Sequence, residues 1–109
     1  MAIPHLLPGQ VVDVLPLDVN LADAKTVALF KSQDLEVMRL VLQAGKSLPP
    51  HKVAGEITIH CVEGVMSVTA ESADHILRKG QLLYLRGNVL HSVHAPENTC
   101  AIVTIAMVK

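Results

Sequence analysis

The stretch GKSLPPHKVAGEITIHCVEG, residues 45–64, decides the fold. It begins at a glycine turn, is kept extended by Pro49-Pro50, presents His51 and passes Gly55 into the apolar run Ile57–Val62. Glu63-Gly64 then reads as a hairpin turn. A second stretch, GQLLYLRGNVLHSVH at residues 80–94, answers it with a glycine, a short apolar strand, a turn at Arg86-Gly87-Asn88 and His91.

Outward from these stretches the chain continues as short strands. Lys25–Phe30 and Leu35–Gln43 come first, separated by the polar turn Ser32-Gln33-Asp34. Both faces of the second run are largely apolar, so neither meets water along its whole length. Val65–Ala70, His75–Arg78, Leu82–Leu85, Leu90–Ala95 and Cys100–Val108 complete the series. Roughly eight or nine short strands with frequent turns and no convincing helix predict an all-β sandwich or small barrel. Residues 1–24 read as an extended arm, broken by Pro4, Pro8 and Pro16, ahead of a barrel domain at residues 25–109. Leu21–Ala24 is long enough only for a helical turn.

Composition narrows the function classes. The 109 residues suffice for one domain. Only 17% are charged and 50% are apolar, against roughly 25% charged in an average soluble domain. So few charges cover a monomer poorly, and a homodimer is the simplest expectation. A net charge of -1 without a Lys/Arg stripe argues against nucleic acid. With no Trp, one Tyr and one Phe, stacking platforms for bases or sugars are lacking too. The apolar runs are too short to span a membrane, and the first residues lack a basic start, so a cytoplasmic protein is expected. Cys61 and Cys100 lie inside predicted strands and read as inert core thiols.

The two quoted stretches, in this order, resemble the paired motifs of the cupin superfamily. That resemblance covers residues 25–108 and implies a small antiparallel jelly-roll barrel. The first cupin motif is G-x5-H-x-H-x3,4-E-x6-G, and Gly45, His51 and Gly64 match it. Val53 stands where the second histidine belongs, and Ile57 stands where the glutamate belongs. The second motif is G-x5-P-x-G-x2-H-x3-N. Gly80 and His91 match, while Arg86, Asn88 and Ala95 replace the proline, glycine and asparagine. Asn tolerates the left-handed conformation better than most residues, so Asn88 is an acceptable stand-in for glycine. The resemblance implies a divalent transition metal held by three histidines and one glutamate or glutamine. Only His51 and His91 remain at matching positions.

Strand parity tests the substitutes. If Ile57 points inward, so do Ile59 and Cys61, while Glu56 and His60 point outward. A bulge at Gly55 would bring Glu56 or His60 into play as weak metal candidates. Cys61 is a soft ligand on the inner face. Three functional readings follow. The first is a module binding a small, largely apolar ligand, with His51, His91, Met38, Ile59 and Cys61 at its site and a degenerate metal position. The second is a metal-dependent enzyme of the dioxygenase or isomerase kind. The third is a structural dimer with a packed barrel. The resemblance alone does not choose between them.

Overall fold

Alternation of apolar and polar side chains sorts the strands into two layers. The computed structural model describes residues 5–15 and 24–108; most of the expected helical turn at Leu21–Ala24 lies outside them. The strands are β1 (Val27–Lys31), β2 (Leu35–Leu42), β3 (Ser47–His51), β4 (Ile57–Glu63), β5 (Val65–Ala70), β6 (Ala73–Arg78), β7 (Leu82–Leu85), β8 (His91–His94) and β9 (Thr99–Ala106). A five-stranded sheet runs β1-β2-β9-β4-β7, and a four-stranded sheet runs β3-β8-β5-β6. The pairings are antiparallel. This is the jelly-roll barrel expected from the two motifs.

The inward faces make the core. In β4, Ile57, Ile59 and Cys61 are buried while Thr58, His60 and Val62 are half-buried on the other face. β5 contributes Met66, Val68 and Ala70, and β8 contributes Val93. A small second cluster of Ala24, Val41 and Cys100, with Val62 packed against it, sits on the outer side of the five-stranded sheet. The arm is tied to its own barrel. Leu6 N–H donates to the Leu29 carbonyl at 2.9 Å, and Arg39 donates to the Asp13 carbonyl at 3.4 Å. Leu29 is the extra residue where β1 shifts register against β2, which frees its carbonyl for the arm.

Three local expectations are corrected. Residues 47–51, read as an extended loop, form β3. It lies at the edge of its sheet, where a proline's missing N–H leaves no ladder bond broken. Glu63-Gly64 is not a β-hairpin, because β4 and β5 belong to different sheets. Gly64, at φ 83°, turns the chain from one layer to the other. Gly55 makes no bulge: β4 pairs regularly from Ile57, and its register shift lies between Cys61 and Glu63. Gly55 is needed for close approach instead, since a Cβ there would lie 1.7 Å from the Ala106 carbonyl oxygen. Asn88 does adopt the left-handed conformation, at φ 64°. Its N–H donates to the Val53 carbonyl at 2.7 Å, tying the β7–β8 turn to the loop after β3.

Candidate functional site

The site is created by an irregularity in β3. Ser47 pairs with His94 and Leu48 with Val93, but His51 then pairs with His91. Pro49 and Pro50 together oppose the single residue Ser92. Strict alternation would put Leu48 and His51 on opposite faces, because they are three apart. The extra residue turns both inward. The two imidazoles thus face each other across the strands, ring centroids 4.4 Å apart and tilted by 54°. His91 is 3% exposed, whereas His51 lies at the solvent end of the barrel.

Each ring is held in the same way. His51 Nδ1 lies 3.0 Å from the Pro49 carbonyl oxygen, and His91 Nδ1 lies 3.0 Å from the Val89 carbonyl oxygen. A carbonyl only accepts, so Nδ1 carries the hydrogen in both rings. In the neutral ring, Nε2 is then left with its lone pair.

Both histidines line a cavity of about 520 Å³ inside the barrel. Met38 and Ile59 line it as well, as do Val53 and Ile57, the residues at the altered motif positions. The remaining walls are aliphatic, apart from Thr26. The Thr26 hydroxyl is engaged with Val41: it accepts from the amide at 2.9 Å and donates to the carbonyl at 3.2 Å.

The other candidates are placed elsewhere. Cys61 faces the core, as parity requires, but lies outside the cavity lining. Its thiol reaches the carbonyls of Gly64 at 3.5 Å and Glu63 at 3.6 Å. Burial pushes its pKa up, so it stays a protonated thiol rather than a thiolate ligand. Glu56 is turned away from the barrel, where it accepts a hydrogen bond from the Tyr84 hydroxyl at 2.6 Å. That bond raises the pKa of Tyr84. His60 pairs with Leu82 and Ile102 on the outer face. Neither residue joins His51 and His91, because the bulge that would have re-aimed them is absent from Gly55. Thr26, Leu48 and Pro49 are among the lining residues the parity argument did not name, and Pro49 is the one whose carbonyl holds His51. The signal for it was a Pro-Pro pair just before an inward histidine.

The comparisons with known proteins agree with this architecture. A family model described as the cupin domain matches residues 38–108. The protein belongs to the cupin family. No curated protein matches this cupin in sequence. Among solved structures, it is similar to a conserved protein of unknown function from Streptococcus pyogenes, at 16% identity and TM-score 0.79 over 100% of this chain and 96% of that one. An RmlC-like cupin from Desulfovibrio desulfuricans shares 24% identity at TM-score 0.75, covering 89% of this chain and 96% of that one. An RmlC-like cupin with a double-stranded β-helix fold from Methanocaldococcus jannaschii shares 23% identity at TM-score 0.69, over 77% of this chain and 83% of that one. These likenesses establish the fold.

The fold family raises the question of a metal, and the donor set of this cupin does not fit one. Among the described residues, no group of three or more His, Cys, Asp or Glu side chains converges to hold an ion. Two imidazoles fall short of the three protein ligands typical of a catalytic divalent centre. The missing positions are filled by Val53 and Ile57, which cannot ligate.

Proposed function

We propose that this cupin binds a small, largely apolar molecule in its barrel, with His51 and His91 as its polar contacts and the metal position degenerate. The observation that carries the reading is the cavity. At about 520 Å³ it is within the range of small-molecule sites, roughly 300–1,000 Å³, and well above what a packed structural barrel would hold. Its aliphatic walls favour an aliphatic ligand. The donor set argues against the metal-dependent enzyme.

The test is thermal unfolding of the full chain across a series of straight-chain alcohols, 1-hexanol to 1-decanol. A ligand at about a hundred times its Kd stabilises by about 2.7 kcal/mol, which for a domain of this size means a rise in Tm of several degrees. The expected result is a saturable rise that depends on chain length and is lost in Val53→Trp, which puts a bulky ring into the cavity that Val53 lines. A flat response across the series would sink the reading.

We also propose a homodimer in which a second copy covers the outer face of the five-stranded sheet. Leu35, Leu82 and Tyr84 on that face are 41%, 63% and 54% exposed, and Ile102 is half-buried between them. A cross-strand row of Arg39, Ile102, His60 and Leu82 runs across it. Such a face is suited to an isologous contact, in which the same patch serves both subunits.

A further inference from the structure

The two histidines can be read more closely than as polar marks. Because the Pro49 and Val89 carbonyls hold the hydrogen on Nδ1 in each ring, what each imidazole offers on its other edge is an acceptor. Arg39 Nε is the only buried side-chain nitrogen or oxygen without a partner among the described residues. The Nε2 of His91 is therefore not sealed in protein, although the residue is 3% exposed; His91 lines both the barrel cavity and a smaller pocket beside Glu71 and Ser72, and its ring stands against that of His51, which lines the barrel cavity alone. Thr26 is satisfied by Val41, so the two Nε2 atoms are the polar atoms left to a ligand. No Lys or Arg lines the cavity to balance a carboxylate, and no Asp or Glu lines it to balance an ammonium group. Burying an unbalanced charge there would be expensive.

With ring centroids 4.4 Å apart, the two acceptor edges are close enough for one small head group to donate to both. Building on the cavity function above, we propose that His51 and His91 form a double acceptor, and that the ligand is an uncharged aliphatic amphiphile whose head carries two neighbouring hydrogen-bond donors, as in a vicinal diol. The aliphatic walls take its chain. The cross-strand pair takes its head at the solvent end, where His51 stands.

Two measurements on the full chain test this. Nitrogen-15 correlation spectra of the histidine rings near neutral pH are expected to show Nδ1 protonated and Nε2 bare in both His51 and His91. A hydrogen on Nε2 of either ring would overturn the proposal. Titration calorimetry then compares 1,2-octanediol with 1,2-dimethoxyoctane and with octanoate. Two hydrogen bonds of about 1 kcal/mol each amount to roughly a 30-fold preference for the diol. The double variant His51→Leu/His91→Leu should bind diol and ether alike. If ether or octanoate binds the native protein as tightly as the diol, the double acceptor is wrong while the cavity reading stands. If none of the three binds, the cavity reading fails and takes the proposal with it.

Discussion

At the scale of single residues, the protein separates groups that face the cavity from groups sealed in the core. His51 and His91 keep one ring edge available because the backbone satisfies the other. Cys61 and Cys100 have no such freedom. Both are free thiols buried at 0% exposure. Burial raises the pKa of Cys100 from 9.0 to about 11. Between those values the folded protein holds a proton that the unfolded chain has released, so unfolding is favoured as pH rises. The stability is fully present below about pH 9 and is lost as pH climbs through about 11. For a shift of that size the loss is about 2–3 kcal/mol. Urea unfolding of native protein and Cys100→Ala at pH 8 and pH 11 should show a smaller alkaline loss in the variant. Equal losses would contradict the assignment.

At the scale of elements, the decisive device is the doubled proline of β3. A variant lacking Pro50 should pair Leu48, Pro49 and His51 regularly with Val93, Ser92 and His91. His51 would stay opposite His91 without a bulge. Proton cross-relaxation between the two rings is therefore expected to survive the deletion, with stability changed by no more than about 1 kcal/mol. Its loss would show that the bulge is needed for more than parity. Most strands were legible from alternation: β5 and β7 fall where the apolar runs put them. β3 was not, because Pro49-Pro50 reads locally as a loop and only the neighbouring β8 makes it a strand. Glu63-Gly64 has the composition of a hairpin, but composition does not say which sheet the next strand joins. Parity put Cys61 on the inner face correctly. It says nothing of depth along the barrel axis, which is what places Cys61 beyond the cavity. The histidine pair was legible because the motif spacings name both residues. Their shared tautomer was not, since it depends on backbone carbonyls two residues upstream.

At the scale of the whole molecule, low charge and an apolar outer sheet point the same way. Ile102, half-buried, lies between Arg39 and His60 in the cross-strand row on that face. The proposed homodimer should show twice the chain mass of 11.7 kDa by light scattering, and Ile102→Lys should yield a folded monomer. A monomeric native protein would contradict it. The cavity faces the other way, so Ile102→Lys should leave ligand affinity within about two-fold, since distant sites are nearly independent. The central claim is that the barrel interior receives the ligand. The most direct measurement is a methyl NMR titration of the full chain with 1-octanol. Saturable shifts are expected at Leu40, Ile59 and Ile105, which line the cavity, with Ile76 and Ile102 unmoved. Shifts at Ile76 or Ile102 with the cavity methyls silent, or no shifts up to the solubility limit, would contradict it.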